Sequence, residues 1–468
     1  MGQSEVIEFF ERMNIEHPGK KFTKEEIETA IGKKIKNYTL KSMYEHGDIK
    51  REKESVKISS GGETRRYVYS YAPNGFSSVT NFHHSKSSAV PDFYEISANE
   101  RIKIISEFCD LDKKERKMLW SIDPRELSNL GENSTGPFPY VLRWINYVKV
   151  NGRDFIVPTV IEEASVVAAN CYASKLCYYS SGVQASVVES KEHSKAIGQI
   201  QITDVKDSEK ARMRIFEDKD SLLAKAAEGH EHSKPYDLDV EEFDSNFGKF
   251  LVVNLYVDPG DAMGAIAGRM ADSIANELSK ITESKCSRGI NSNYSGRLTK
   301  AELKVPIENL ARKSRKTGEK WSGEEVKEGI LKRYEWATKD VKRAVTNNKG
   351  IMNDVIGVAR ATAQDDRAIE AANAIYAIRS GCYQPLSKWR ADGNYLYGES
   401  EMLIPCGTVG GEIKNYPRAE FLLNRVLKVK KADELAEVMA SVGLTGNLAA
   451  LSMISTIGLE EGHQPHRK

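Results

Sequence analysis

The chain has 468 residues, 40% hydrophobic and 29% charged, which is enough to build the buried cores of two or three soluble domains. A net charge of +1 argues against a polyanionic partner covering the whole molecule and leaves room only for a local basic patch. Scattered cysteines without a C-x-x-C, an N-terminus charged every few residues, and no unbroken apolar run of about 18 residues exclude a disulfide scaffold, a signal peptide and a membrane span, so the expectation is a cytoplasmic protein with no membrane partner.

Residues 1–72 read as one unit. "EVIEFFERM" and "TKEEIETAI" have helical periodicity, the second with Thr23 as N-cap, and "NYTLKSMYEHGD" makes a third helix ending at Gly47. "SVKIS" and "TRRYVYSYA" alternate around Gly61 and Gly62 and predict a β-hairpin. Three helices and a hairpin in that order resemble a winged helix. Lys33, Lys34, Lys36, Lys41, Lys57, Arg65 and Arg66 fall on the third helix and wing, which makes DNA a candidate partner through residues 33–66. A protein-interaction or dimerisation module fits the acidic first two helices equally well.

Residues 73–90 are rich in Ser, Asn and Gly and read as a linker. His83 and His84, like "HEH" at 230–232, lack the preorganised further ligands a metal site needs, so no metal is expected. From 194 to 306 the pattern predicts a strand, a helix, two strands, a helix, and a last strand in "GRLTKAELKVP". That β-α-β-β-α-β order is a ferredoxin-like unit, inserted between two parts of a larger domain, 91–193 and 307–468. The larger domain should surround "EASVVAANCYASKL", a helix apolar on every face. The fold class is therefore α+β.

The chain has neither a G-x-G-x-x-G after a strand nor a P-loop. "VDPGDAMGAIAGRM" runs from a strand into a helix with Gly260 and Gly264, which suits either the approach of a pyrophosphate to helix N–H groups or tight helix-on-sheet packing. Glu162 and Glu163 stand between a strand and the apolar helix. Asp365 and Asp366 precede "RAIEAANAIYAIRSG", where one of them should be an N-cap.

Taken in order, "NGRDFIVPTVIEEASVVAA", "DAMGA", "RAVTNNKGIMN", "QDDRAIEAANAIYAIRSGCY", "GTVGG" and "VGLTGNLAALSMISTIGLEEGH" resemble the class II 3-hydroxy-3-methylglutaryl-CoA reductases over roughly residues 91–466. The resemblance implies an acyl-CoA-binding large domain, a nicotinamide-binding insert, and active sites at the interface of a homodimer. It places the catalytic roles on Glu163, Lys349, Asp365 and His463, and contact with substrate on Ser165, Arg343, Asn353 and Glu132. Cofactor contact falls on Asp261, Met263, Gly264 and Ala265, and on Asp237, at the position of the acid that meets the adenosine ribose. Among the departures, Ile266 replaces a polar residue and Gly446 stands where the family has glutamine.

The chemistry explains those residue types. Two hydride transfers convert a thioester to an aldehyde and then an alcohol, with negative charge developing on one oxygen, so a lysine held between acids should stabilise it. The expected arrangement is a buried Lys349 beside Glu163 and Asp365, with His463 protonating the departing CoA thiolate. A carboxylate at 237 accepts hydrogen bonds from a free 2′-hydroxyl and repels a 2′-phosphate, which favours NADH over NADPH. The competing expectation is a reductase-like sensor of acyl-CoA or nucleotide that controls DNA binding by the N-terminal unit.

Overall fold

The computed structural model describes residues 98–118, 140–190 and 193–458, together with 9–10, 21–32, 34–35, 40, 49–57, 63–71, 87–88, 90 and 93 of the N-terminal stretch. Contacts divide the chain into two compact units, 1–85 with 97–99, and 86–96 with 100–468.

In the first unit, β1 (Phe22–Thr23) leads into α1 (Lys24–Ile31), and a hairpin pairs β2 (Ile49–Lys57) with β3 (Glu63–Tyr71) in the order β1-β3-β2. Thr23 caps α1 as expected, through a capping box with Glu26, and Gly32 ends the helix in the left-handed conformation. The hairpin begins earlier than "SVKIS" implies. Most of the first and third expected helices, including Lys33, Lys36 and Lys41, lie outside the described residues.

The second unit contains all but the first two residues of α2 (Ala98–Cys109), then α3 (Lys113–Met118) and the antiparallel pair β4 (Leu142–Val150) and β5 (Arg153–Val160). Next come α4 (Ala164–Tyr178) and β6 (Val183–Val187). The inserted segment contains β7 (Ala196–Thr203), α5 (Ser208–Glu217), α6 (Lys219–Ala227), β8 (Lys234–Phe243), β9 (Phe250–Asp258), α7 (Ile266–Thr282), β10 (Lys285–Cys286) and β11 (Ile290–Ser292). Its strands run in the order β10-β7-β9-β8, with β11 also on β7.

The chain then returns through β12 (Arg297–Pro306), a short ribbon of β13 (Arg312–Lys313) and β14 (Lys320–Trp321), and the helices α8 (Gly323–Lys339), α9 (Val341–Ala361) and α10 (Asp366–Tyr376). It closes with β15 (Ser387–Asp392), β16 (Tyr395–Ile404), α11 (Pro417–Phe421) and α12 (Ala432–Ile454). The larger sheet has the order β15-β16-β12-β6-β4-β5.

That order corrects one expectation. "GRLTKAELKVP" was expected to close the inserted sheet, yet β12 pairs with β16 along its whole length and with β6 on its other side, in the centre of the larger sheet. The strand closing the small sheet is instead the broken pair β10 and β11. A second correction concerns the core. α4 buries Ser165, Val167, Asn170, Ala173, Ser174 and Cys177, but α12 is the more completely enclosed helix, buried along nearly its whole length. It is long and apolar enough to cross a membrane, and 83% of its apolar window is covered by protein, as in a core helix. α9 packs closely against it because residue 443 is a glycine: a Cβ there would lie 2.8 Å from Val355 Cγ2.

Candidate active site

Glu163 is the residue before α4, in extended conformation, and its side chain does not cap the helix. Its Oε1 instead accepts a hydrogen bond from the buried Ser165 hydroxyl at 2.7 Å. On the neighbouring residue, Glu162 Oε2 lies 3.9 Å from Arg360, and the Arg360 Nε donates to Asp366 Oδ2 at 2.8 Å. Arg360 thus ties the start of α4 to the start of α10, just over two hundred residues apart in sequence, and brings the backbones of Glu163 and Asp365 to the same region. Of the two aspartates, Asp365 is the N-cap: its Oδ1 accepts from the Ala368 N–H at 3.0 Å.

Lys349 differs from expectation. It is exposed and makes no ion pair among the described residues. Arg360 lies eleven residues further along α9 on nearly the same face, about 16 Å along the axis, whereas a lysine side chain reaches only about 6 Å. Within one chain the cation forms no ion pair with Glu162, Glu163, Asp365 or Asp366. Asn353, half-buried, stands one turn beyond Lys349 on the same side.

The asparagines before Lys349 explain its orientation. Asn347 and Asn348 are buried, and Asn348 both donates to the Gln384 carbonyl and accepts from the Leu386 N–H, at 2.9 Å each. Asn347 Oδ1 accepts from Asn447 Nδ2 at 2.9 Å, while Asn447 Oδ1 accepts from Ser387 Oγ and Trp389 Nε1. This network fixes the rotation of α9, so the next residue must face outward.

Arg343 is half-buried, its Nε is enclosed without a hydrogen-bond partner, and its guanidinium stands 5.9 Å from the Trp336 ring. Burial and the nearby charge of Arg333 push its pKa down. Neither arginine forms an ion pair among the described residues. One turn beyond Lys349 and Gly350, Asp354 is fully enclosed between α4, α9 and α12. Burial drives its carboxyl well above the usual range, against a hydrogen bond from Asn170 that opposes the shift.

On the inserted segment, Gly260 is left-handed, and a Cβ there would meet the His232 carbonyl at 2.4 Å. The next residue, Asp261, turns its carboxylate away from solvent to accept from the Ala432 N–H at 2.8 Å, while its carbonyl accepts from Thr408. Met263, Gly264 and Ala265 follow as the turn into α7, braced by the "GTVGG" loop through the Ala262–Val409 bridge. Fully buried Arg297, on β12 of the larger sheet, links to this loop, reaching Gly260 O, Cys406 O and Asp433. Tight helix-on-sheet packing is present in this stretch, though not at Gly264. Gly264 has ordinary room, whereas the tight helix-on-sheet contact is made by Ala267 against Gly198. Asp237, on β8, accepts at Oδ1 from the Leu238 N–H at 2.8 Å and from Lys219 Nζ.

The description of one family, hydroxymethylglutaryl-coenzyme A reductase, matches residues 97–468, which span the whole of this geometry. The chain belongs to that family. It is 35% identical over 388 residues to the 3-hydroxy-3-methylglutaryl-coenzyme A reductase of Archaeoglobus fulgidus, covering 81% of this chain and 85% of the relative. It is 30% identical to a probable reductase of Borreliella burgdorferi, with 80% and 86% covered. Among solved structures, the class II reductase of Streptococcus pneumoniae bound to NADPH in open conformations has 32% identity and a TM-score of 0.69, over 77% of this chain and 98% of that one.

As a hydroxymethylglutaryl-coenzyme A reductase, this protein is an oxidoreductase of mixed α+β fold. Two of the residues singled out from the sequence, Glu132 and His463, lie outside the described residues, as do His83 and His84. The sequence reading missed Asn347, Asn447, Trp389, Arg297, Lys219 and Arg333. Adjacent asparagines in an otherwise helical stretch were a usable signal, because Asn disfavours helix interiors unless its amide is bound. The others left none, since each depends on a partner distant in sequence.

Proposed function

We propose that this reductase converts 3-hydroxy-3-methylglutaryl-CoA to mevalonate and CoA in a homodimer, with Lys349 of one protomer completing the site formed by Glu163 and Asp365 of the other. The observation that carries this reading is the position of Lys349. It is oriented outward by a buried amide network, yet lies about three turns from the Arg360 that holds the acids' neighbours. Val341, Val345, Ile375 and Ile378 expose apolar surface on α9 and around α10, which supports association there.

In that arrangement the Lys349 ammonium stabilises the oxygen that becomes anionic at each reduction, and Asp365 keeps the ammonium charged. Glu163, steadied by Ser165, delivers a proton to that oxygen. Arg343 and Asn353 hold the acyl group, with the guanidinium taking its carboxylate. Glu132 joins them, and His463 protonates the CoA thiolate. The bound nicotinamide cofactor supplies the hydride at each of the two steps. Asp237 and the backbone of 261–265 fit such a group, because one carboxylate oxygen and the rigid Gly260 turn are available to it.

The order β10-β7-β9-β8 supports a ferredoxin-like cofactor domain. The hairpin after α1 supports a winged helix, for which salt-dependent duplex binding by the full chain is the test. The sensor reading is not favoured, since the relatives spanning the reductase body are named as reductases.

The decisive assay follows nicotinamide oxidation with and without 3-hydroxy-3-methylglutaryl-CoA. Lys349→Ala and Glu163→Gln should each abolish thioester-dependent turnover. After subunit exchange the mixture should recover about a quarter of wild-type activity, because half the dimers are mixed and each has one intact site. Absence of recovery in a mixture shown to contain mixed dimers would rule out the shared site.

A further inference from the structure

We propose that Lys219 determines which nicotinamide cofactor this enzyme uses, by pairing with Asp237 to form a two-part reader of the adenosine 2′ position. The inference rests on the reading above that Asp237 meets the ribose. It revises the expectation drawn from the carboxylate alone.

The geometry is set by an edge strand. β8 ends the order β10-β7-β9-β8, and its alternation sends Leu238 and Val240 into the core of the inserted segment while Asp237 and Asp239 point the other way. These two acids have different neighbours. Asp239 is fully engaged, with Oδ1 accepting from Asn254 Nδ2 at 2.8 Å and Oδ2 from the Tyr256 hydroxyl at 2.6 Å. Asp237 uses only Oδ1, which takes both the Leu238 N–H and Lys219 Nζ, so Oδ2 has no partner among the described residues.

Lys219 reaches it because the chain between β7 and β8 forms two helices, α5 and α6, that meet at Asp218. The junction makes Lys219 the first residue of α6, beside the edge strand. Both side chains remain open to solvent, the lysine by about a third and the aspartate by about half.

A lone carboxylate would repel a 2′-phosphate. A carboxylate with an ammonium on one oxygen is close to neutral as a pair and offers two kinds of contact. The free Oδ2 accepts a hydrogen bond from a 2′-hydroxyl, and the ammonium, which has further N–H donors, binds a 2′-phosphate. The enzyme is therefore expected to turn over with both NADH and NADPH, with Lys219 setting the ratio.

The test compares kcat/KM for NADPH and NADH in the full-length wild type, Lys219→Ala, Lys219→Glu and Asp237→Asn. Calorimetric binding of 2′,5′-ADP and 5′-AMP gives a readout that does not need turnover. Lys219→Ala should lower the NADPH-to-NADH ratio roughly tenfold, the scale of one lost charge-assisted hydrogen bond. Lys219→Glu should lower it further and Asp237→Asn should raise it. The preference for 2′,5′-ADP over 5′-AMP should fall in parallel.

Equal losses with both cofactors in Lys219→Ala, or a nucleotide preference that the substitution leaves unchanged, would overturn the proposal while leaving the reductase assignment intact. A wild type that turns over neither cofactor would instead count against that assignment. The 2′,5′-ADP preference alone would then decide the role of Lys219, and failure to bind either nucleotide would reject it.

Discussion

Gly446 and Asp354 occupy one space between two buried helices, and this makes the sign of a single substitution depend on its neighbour. A Cβ built at Gly446 lies 1.8 Å from Asp354 Oδ2 and 2.7 Å from its Cγ, against an ordinary contact of about 3.4 Å or more. The carboxylate would have to move by about 1.6 Å, and Asn170 Nδ2, at 3.2 Å from the same Cβ, blocks one escape. Gly446→Ala should therefore cost about 1–3 kcal/mol from overpacking, offset by about 1 kcal/mol of helix propensity in the interior of α12.

In an Asp354→Gly background the obstruction is gone, and the same Gly446→Ala change should stabilise by up to about 1 kcal/mol. Urea unfolding of wild type, both single variants and the double variant gives the coupling energy, expected at about 2 kcal/mol. Additivity within about 0.5 kcal/mol would refute the account. It would also leave unexplained why glycine stands where the family has glutamine.

The Asp354 carboxyl is also the source of a pH effect. Its folded pKa lies above the unfolded value, so the native state holds the extra proton and stability falls as pH rises from the ordinary carboxylate range toward the raised value. Asp354→Asn should accordingly stabilise the protein at pH 8, by about 2 kcal/mol, and have little effect near pH 3.5, which urea midpoints at both pH values will check. Arg343→Gln should raise KM for the thioester at least tenfold through loss of a charge-assisted contact, while KM for the nicotinamide cofactor changes little; equal changes in both would remove Arg343 from the acyl subsite. Asn447→Leu strips partners from Asn347, Ser387 and Trp389 at once and should lower kcat more than it raises KM, because it loosens the helix that aims Lys349; an unchanged kcat in a folded variant would show that the network has no part in aiming it.

Much of the local structure was legible in the residues. Thr23 begins a helix and Asp365 begins another because an oxygen on a short side chain satisfies N–H groups that a helix leaves free, a matter settled within four residues. Hydrophobic alternation likewise located most strands, since the side-chain period of a strand does not depend on its partner. The order of motifs also fixed the family, which the comparison over residues 97–468 bears out.

Partnership between distant segments was the work of the tertiary structure. The alternation of Arg297–Pro306 suits either sheet, and only the chance to bury both edges between β16 and β6 assigns it to the larger one. The residues around Lys349 do not by themselves say whether it is enclosed or exposed. Asparagines hydrogen-bonded to a residue one hundred positions away decide that it faces outward. The sequence likewise shows an acid at 237 but not that a helix break at Asp218, nineteen residues earlier, delivers a lysine to it. Local preferences follow from torsions and nearest neighbours, whereas burial and charge pairing depend on which segments the folded core brings together.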